Sequence, residues 1–451
     1  MKKIRIGCGQ GFWGDSLDAP VQLVRQGPLD YLILDYLAEV TMSILARHKQ
    51  KNPDAGYARD FVELLAQILD DVIDKKVCVL ANAGGVNPES CARAVAALAE
   101  KRGKKKHVRI AVVQGDDLIE RLNELEQNGE TLQNLDDSRA FSAIRSQVRS
   151  ANAYLGAGPL VQALQGGANI VITGRVADPS LALAPMIHTL GWKESDWNML
   201  AAGIVAGHII ECGAQCTGGN CSVDWQQIPD LAHIGYPVVE IAEDGTFVVT
   251  KHPGTGGRIN LPTVKEQIVY EIGDPRSYIT PDAVADFTSI RLSDAGAERV
   301  QVSGVKGRAK PETLKVSMSY SNGHMAAGTL IYSWPDACRK ARAAGEIIKK
   351  RIADLGLPFD AVRTEIIGAN ACHGQMSDVD LPNIPEVMLR AAVRAQDKRA
   401  VERFAREIAP LVLNGPPSAT AYFGRPQVQE VIAYWPTLVS RANVIPQVTF
   451  L

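Results

Sequence analysis

The sequence lacks the features that mark several common classes of protein. No run of about 20 apolar residues occurs, so we expect no membrane-spanning helix. The basic start of the chain is not followed by an apolar segment of the length that a secretory signal needs, and we therefore expect a cytoplasmic protein. Neither sign of charge is in excess. The formal net charge of −2 gives no electrostatic reason to expect nucleic acid or a membrane surface as a partner.

Motifs for cofactors are missing as well. The glycine-rich loops match neither the dinucleotide fingerprint nor the phosphate-binding P-loop, so we predict no NAD or ATP site. Most of the eight cysteines are isolated within apolar segments, as reduced and buried thiols are. Cys212, Cys216 and Cys221 lie close together, but their spacing fits neither a zinc site nor an iron–sulfur cluster. We therefore expect no cofactor, with a metal at these three cysteines as the open alternative.

The length and the alternation of segments indicate the fold class. A chain of 451 residues exceeds what one hydrophobic core usually supports, so we expect more than one structural unit. Over residues 1–205, short β-branched segments alternate with amphipathic ones, which predicts an α/β domain with a mostly parallel sheet between helical layers. The predicted strands of this sheet are Ile4–Gly7, Tyr31–Leu34, Val77–Ala81, Val108–Val113 and Ile170–Thr173.

Two further segments complete the predicted organisation. Residues 206–285 are expected to be a linker that contributes to the site and contains a hairpin about Glu243–Gly245. Residues 286–451 are expected to form an α+β domain with antiparallel hairpins. Within the last segment, an Asn-Gly pair predicts a second hairpin about Ser321–Gly323. Predicted helices cover Asp336–Leu355, Glu386–Gln396 and Arg399–Val412, and a strand covers Arg363–Ile367.

Glycine-bearing loops follow the predicted parallel strands. Ligands collect beyond the carboxyl ends of such strands, and free glycine N–H groups there suit an anionic ligand. The substrate-binding candidates in these loops are Asn82, Gly84, Gly85, Asn87, Thr173 and Arg175. Arg175 is expected to clamp a carboxylate, and Asp178 is either a base or the N-cap of the next helix. The asparagines have turn and capping roles as their alternative.

Residues 203–225 carry many reactive side chains directly after an apolar segment that is typical of a helix. His208 and Glu211 are three residues apart, so on a helix they share a face and are predicted to transfer protons. The alternative is that His208 caps the helix end and Glu211 pairs with a basic residue. Further substrate-binding candidates are Gln215, Thr217, Gly218, Gly219 and Arg258. Arg258 ends the glycine-rich loop from His252, which is either a lid or an exposed connection.

Several segments, taken together and in order, resemble the acyclic terpene utilisation (AtuA-like) family. They include Ile6–Gly14 (IGCGQGFWG), Ala81–Pro88 (ANAGGVNP), Ile172–Ser180 (ITGRVADPS), Gly207–Gly219 (GHIIECGAQCTGG), Lys265–Pro275 (KEQIVYEIGDP), Val302–Gly307 (VSGVKG), Arg403–Pro417 (RFAREIAPLVLNGPP) and Tyr434–Val439 (YWPTLV). The resemblance implies a bacterial protein of carboxylic-acid or isoprenoid catabolism, often encoded near acyl-CoA enzymes. Longer members append a ferredoxin-like domain, so we expect a separate small subunit to supply it here.

These observations lead to two hypotheses about function. The first is a lyase, either a hydro-lyase or a C–C lyase, that abstracts a proton from a small polycarboxylate or a branched hydroxy acid or its acyl-CoA. Glu211 or Asp178 would be the base and His208 the acid, with an oxyanion stabiliser facing the enolate. The second is a non-catalytic ligand-binding or scaffold subunit of a two-component complex. In either case we expect a homo-oligomer that binds neither nucleic acid nor membrane.

Overall fold

The computed structural model describes residues 2–377, 383–421 and 424–451. Within them the chain divides into two units. The residues up to Ser319 form the first unit together with Tyr434–Leu451, and Tyr320–Ala433 form the second. The three domains expected at 1–205, 206–285 and 286–451 stay a prediction, and both of their boundaries lie inside the first unit.

A large mixed sheet forms the centre of the first unit. Its strands in chain order are β1 (Lys3–Gln10), β2 (Tyr31–Leu34), β3 (Cys78–Ala81), β4 (Ile110–Gln114), β6 (Ile170–Thr173), β7 (Pro237–Ala242), β8 (Phe247–Lys251), β11 (Arg291–Asp294), β12 (Arg299–Ser303) and β19 (Gln447–Phe450). They are ordered β11-β12-β8-β7-β1-β2-β3-β6-β4-β19. The run β1-β2-β3-β6-β4 is parallel, which confirms the α/β class. Val, Ile and Leu dominate these strands because both faces of a parallel sheet are buried.

Shorter strands of the first unit lie outside this sheet. They are β5 (Val148–Ala153), β9 (Tyr278–Ile279), β10 (Val284–Asp286) and β13 (Lys306–Arg308). The last three form a small antiparallel sheet in the order β13-β10-β9. Two long strands run across the boundaries between the units, β14 (Thr313–Ser333) and β18 (Gln429–Ser440).

The helices of the first unit follow from apolar periodicity and from capping residues. They are α1 (Asp18–Gln26), α2 (Glu39–Lys51), α3 (Arg59–Asp74), α4 (Pro88–Lys101), α5 (Leu122–Gln127), α6 (Gly158–Gln165), α7 (Ser180–Leu190), α8 (Trp197–Glu211) and α9 (Leu261–Val269). Helix α3 buries a stripe with spacings of three and four residues, from Phe61 to Val72. Helix α8 is buried from Leu200 to its end at Glu211. In the described part of the chain, no helix has the length and apolarity required to cross a membrane.

The predicted hairpin about Glu243–Gly245 is confirmed. Strands β7 and β8 pair antiparallel there, with Ile241 opposite Phe247. Gly245 has a φ of +79°, which glycine adopts without strain because it has no Cβ atom.

The second unit is built on an antiparallel sheet covered by helices. Its elements are α10 (Ala337–Asp354), β15 (Ala361–Ile367), β16 (Glu386–Ala395), α11 (Lys398–Phe404), α12 (Leu411–Asn414) and β17 (Ala419–Ala421). The strand order is β15-β16-β14-β17. The helix predicted over Asp336–Leu355 and the strand predicted over Arg363–Ile367 are confirmed as α10 and β15.

Two predictions in this region are wrong. The helix predicted over Glu386–Gln396 is strand β16, where every second side chain from Val387 onward is buried, because tertiary pairing overrides helix propensity. The single helix predicted over Arg399–Val412 is replaced by the two short helices α11 and α12.

The hairpin predicted about Ser321–Gly323 is also wrong. Strand β14 continues through these residues from Thr313 to Ser333. Gly323 takes a φ of +83° within the strand, and the Asn322 side chain accepts a hydrogen bond from Arg394 at 2.7 Å. The Asn-Gly pair therefore lies within an extended strand instead of reversing the chain, as glycine does at irregular positions in strands.

Candidate active site

A cavity of about 630 Å³ lies beyond the carboxyl ends of the parallel strands, within the first unit. This volume is in the range of small-molecule sites, and the position is where open parallel sheets bind ligands. Its walls come from the loops after β1, β2 and β6, from the end of α8, from residues 270–281 and from the start of β14. The sheet order thus brings together segments that are far apart in sequence.

Glu211 and His208 form a buried pair at the end of α8. His208 Nδ1 lies 3.1 Å from Glu211 Oε1, and His208 Nε2 lies 3.0 Å from the Gln267 carbonyl oxygen. Because a carbonyl can only accept, we infer that Nε2 carries a hydrogen, so that the neutral ring accepts at Nδ1. Glu211 then supplies the proton between the two groups.

The electrostatics of the pair agree with this proton assignment. Burial lowers the pKa of His208 to about 4, because the charged ring would lose its hydration. Burial raises the pKa of Glu211 well above its usual value, and the carboxylates of Asp178 and Glu271 raise it further. Both shifts favour a protonated Glu211 beside a neutral His208. Glu211 Oε2 is buried and has no hydrogen-bond partner among the described residues.

Local sequence explains how Glu211 reaches the cavity. Helix α8 is apolar around its whole circumference and ends at Glu211, where Gly213 takes a φ of +56° and turns the chain. The loop after β1 approaches this turn closely. A Cβ atom on Gly11 would lie 2.7 Å from the carbonyl carbon of Cys212, so only glycine permits the approach.

Asp35 is a second buried carboxyl group in the cavity wall, and sequence reasoning missed it. It follows β2 directly and is only 5% exposed. Its Oδ1 accepts hydrogen bonds from Asn82 Nδ2 at 2.6 Å and from the Leu37 amide at 3.2 Å. Burial raises the pKa of Asp35 well above its usual value, with the Asp178 carboxylate as the next cause. An acid directly after a buried strand was the signal that could have identified it.

Arg175 and Lys315 supply positive charge to the same cavity. Arg175 Nη1 donates to Asp178 Oδ1 at 2.5 Å and to the Leu37 carbonyl at 3.1 Å. The Arg175 guanidinium carbon lies 4.2 Å, and the Lys315 ammonium 4.9 Å, from the centre of the Tyr154 ring. Such cation–π contacts hold the two cations without consuming their donors. Arg175 Nε has no hydrogen-bond partner in the described part of the chain.

Asp116 holds the backbone of Arg175 in position. Its Oδ2 accepts from the Arg175 amide at 2.8 Å and from Asn152 Nδ2 at 3.0 Å. A Cβ atom on Gly174 would lie 2.3 Å from Asp116 Oδ1, so glycine is required for this contact. Burial raises the pKa of Asp116 to about 7.

Replacing Asp116 with asparagine is expected to change how stability depends on pH. The folded state binds this proton more tightly than the unfolded state, whose pKa is near 3.8. The contribution is therefore full below pH 3.8 and is lost as pH rises toward 7. The amide side chain of the variant cannot ionise, so its unfolding free energy relative to wild type should improve by roughly 4 kcal/mol between about pH 4 and pH 8.

Urea unfolding of both proteins at several pH values measures this difference. Asp54→Asn is the matched control, because the Asp54 side chain is 88% exposed. That control should keep the pH dependence of the wild type. A difference between Asp116→Asn and wild type that stays constant with pH would contradict the assignment.

The structure brings together only some of the residues that the sequence nominated. Arg175, Asp178, Glu211 and Gln215 line the cavity. His208 and Asn82 do not line the cavity, but they contact Glu211 and Asp35, which do. The Oδ1 atom of Asn82 also accepts a hydrogen bond from the Tyr36 amide at 2.6 Å. The Asp178 side chain does not cap α7, since its Oδ1 accepts from Arg175 instead.

The nominated glycines use their N–H groups within the chain. Gly84 donates to the Thr173 carbonyl, Gly85 to Asn82, Gly218 to Gln215 and Gly219 to Ala214. They shape the turns and are not free donors for an anion. The glycine-rich loops therefore contribute backbone geometry to the site, and its positive charge comes from Arg175 and Lys315.

The remaining nominated side chains are also engaged elsewhere. The Thr173 hydroxyl donates to the Gly174 carbonyl, and the Thr217 hydroxyl donates to the carbonyls of Ala214 and Gly235. Asn87 caps α4 and donates to the carbonyls of Pro53 and Ala55. Arg258 borders a different depression, and no described residue of the loop from His252 to Arg258 lines this cavity.

The lining of the cavity carries more acid than base. Its carboxyl groups are Asp35, Glu39, Asp178, Glu211 and Glu271, and its cations are Arg175 and Lys315. Tyr154 donates to Glu39 Oε1 at 2.6 Å, which ties one of these carboxylates into the wall. A ligand with a single anionic group matches this balance better than a ligand with several.

The cysteines near the cavity are free thiols. Burial raises the pKa of Cys212 to about 12 and that of Cys216 further, so both stay protonated at neutral pH. Over residues 2–377, 383–421 and 424–451, no group of three or more His, Cys, Asp or Glu side chains is arranged to hold a metal ion.

Comparison with known proteins identifies a family. The sequence profile of a family described as "Acyclic terpene utilisation family protein AtuA" matches residues 4–450. No curated protein and no solved structure matches the chain.

Proposed function

The chain belongs to the acyclic terpene utilisation (AtuA) family, and from that premise we propose that its cavity removes a proton from the carbon beside the carbonyl of a hydroxylated acyl substrate. Membership implies a role in acyclic terpene utilisation, which is broadly a catabolic role. The observation that carries the proposal is the buried Glu211 in the cavity wall. One carboxyl oxygen is hydrogen-bonded to His208, and the other has no hydrogen-bond partner among the described residues.

The proposed proton transfer uses both oxygens of Glu211. Oε2 takes the proton from the substrate carbon while the proton on Oε1 passes to Nδ1 of His208. The electron pair of the broken C–H bond moves into an enolate. Arg175 and Lys315 are the cations available to stabilise its oxygen, since electrostatic stabilisation of developing charge is a large part of such catalysis. His208 acts through Glu211 and is a positioning residue.

Asp35 would complete the reaction by protonating the leaving group. Burial shifts the Asp35 carboxyl group toward its protonated form, which is the form that can donate a proton to a departing hydroxyl group. The C–O bond breaks, a C=C bond forms, and water leaves with the Asp35 proton. Two carboxyl groups with separate tasks therefore favour dehydration, or hydration in reverse, over C–C cleavage.

The charge of the cavity narrows the substrate class. The carboxyl groups outnumber the two cations even when Asp35 and Glu211 are protonated, so a polycarboxylate would meet more repulsion than a ligand with one anionic group or a thioester carbonyl. We therefore propose a branched hydroxy acid or its acyl thioester. A small ferredoxin-like partner subunit, a homo-oligomeric assembly and the absence of a cofactor remain parts of the proposal.

Hydrogen exchange in heavy water tests the proposal directly. The purified chain is incubated in D₂O with a panel of branched hydroxy acids, their thioesters and dicarboxylates. We expect mass spectrometry to show deuterium beside the carbonyl of a hydroxyacyl compound, together with a conjugated alkene product. Exchange into none of the panel would overturn the assignment. A ligand-induced rise in unfolding temperature without exchange would instead favour the non-catalytic binding subunit.

A further inference from the structure

A second cavity, of about 670 Å³, lies in the first unit away from the candidate active site. The ionisable residues in its wall are Arg5, Glu240, Lys251, His252, Glu298 and Arg299. None of its lining residues is shared with the first cavity. Strand β1 connects the two, because Arg5 near its start borders the second cavity and Gly11 just after its end borders the first. Six residues of extended chain separate these positions by roughly 20 Å.

The second cavity carries an excess of positive charge. Arg5 Nη1 lies 2.8 Å from Glu240 Oε1, and Arg299 Nη2 lies 2.5 Å from Glu240 Oε2. Two guanidinium groups thus share one carboxylate. Lys251 and Glu298 contribute one charge each, so three cations face two anions.

Lys251 is a buried cation with only one close acceptor. Its side chain is only 5% exposed, and Nζ donates to the Thr255 carbonyl at 2.8 Å. Its next acceptors are distant, with the Thr255 hydroxyl at 3.5 Å and Glu298 Oε2 at 3.7 Å. Glu298 Oε2 already accepts from the Ile259 amide at 2.6 Å. Since an ammonium group has three donors, Lys251 has capacity for an oxygen ligand.

Arg5 and His252 complete the wall. Arg5 Nε is buried and has no hydrogen-bond partner among the described residues. The His252 ring packs against Gly27, where a Cβ atom would lie 2.2 Å from the ring, and its Nε2 bonds to the Leu23 carbonyl at 3.0 Å. The ring is therefore held in place and closes one side of the cavity. Buried donors without acceptors are costly unless a ligand or water satisfies them.

We propose that this second cavity binds a small oxyanion, either a phosphate or a carboxylate, through Lys251 and Arg5. The ligand oxygens would fill the free donor positions and balance the excess positive charge. The glycine-rich loop that begins at His252, for which the sequence suggested a lid, borders this cavity and not the candidate active site. The proposal is independent of the reaction assigned to the first cavity.

Titration calorimetry on the full chain tests the proposal, with inorganic phosphate and acetate as separate probes. We expect saturable binding of at least one probe at low salt, and the preferred probe distinguishes a phosphate from a carboxylate ligand. Lys251→Met should weaken binding by about tenfold or more, as expected for the loss of a charged hydrogen bond. Lys310→Met is the matched control, since Lys310 lies at the surface beside Glu194 and should leave binding unchanged.

Two further variants keep the test decisive. Arg5→Gln should weaken binding several-fold, and it decides the matter if Lys251→Met does not fold. Both second-cavity variants are also measured in an Arg175→Met background, because Arg175 lines the first cavity and this substitution weakens any anion binding there. The proposal is overturned if the folded wild-type protein binds neither probe. It is also overturned if both second-cavity variants bind as tightly as wild type, or if Arg175→Met alone abolishes binding.

Discussion

Replacing Glu211 with glutamine should reduce deuterium exchange into the substrate by about 10²–10⁴-fold, the range that a positioned general base contributes. Glutamine has nearly the same size as glutamate, but its amide cannot accept the substrate proton. The neutral side chain also resembles the protonated form of Glu211, which burial favours by raising the pKa of that carboxyl group. We therefore expect the variant to fold, and exchange measured by mass spectrometry isolates the chemical step.

The control for this variant is Glu346→Gln. Glu346 lies on α10, its side chain is 64% exposed, and it pairs with Lys349 at the surface. This substitution should leave exchange unchanged. Full exchange by Glu211→Gln would show that another group removes the proton, and Asp178, the other nominated base, would then be tested as Asp178→Asn.

Replacing Arg175 with methionine should lower the exchange rate by about 10²–10³-fold, as the loss of one preorganised oxyanion donor does. Arg175 is 2% exposed and stands over Tyr154, so its charge acts where water is largely excluded. Methionine keeps the apolar stem and removes only the charge and the donors. Turnover and substrate affinity, measured separately, show whether the charge acts on the bound substrate or on the enolate.

Structural damage must be separated from lost chemistry in this variant. Arg175→Met leaves Asp178 without its partner, but the Asp178 side chain is 35% exposed and solvent screens part of its charge. The circular dichroism spectrum should match that of wild type. Lys310→Met again serves as the surface control. An exchange rate close to that of wild type would contradict the role assigned to Arg175.

Much of the parallel sheet could be predicted from local sequence. Strands β2 and β6 have the predicted bounds, because short Val, Ile and Leu segments flanked by polar turns suit a sheet that is buried on both faces. The strands of the second unit were harder to predict from local sequence. Ala, Arg, Leu and Met in β16 favour a helix locally, and only pairing with β14 and β15 makes that segment a strand.

The candidate site was predictable where its parts are close in sequence. The three-residue spacings of His208 with Glu211 and of Arg175 with Asp178 place each pair in contact. Asp35 was not predicted, since its contact with Asn82 depends on the adjacency of β2 and β3 in the sheet.

Lys315 and the nominated glycines show the same limit of local sequence. The contact of Lys315 with Tyr154 joins segments that are far apart in the chain. The glycines were assigned to an anion, but their N–H groups complete the turns that they form. Turn geometry and ligand binding call for the same residues, and local sequence does not separate the two uses.

The second unit occupies a single continuous stretch of the gene product, from Tyr320 to Ala433, between two parts of the first. Every described residue that lines the candidate active site is encoded outside that stretch. The residues that line the cavity and the residues of the second unit are therefore encoded by separate sets of codons. A substitution between Tyr320 and Ala433 can therefore affect the reaction only indirectly, because no described residue in the wall of the cavity is changed.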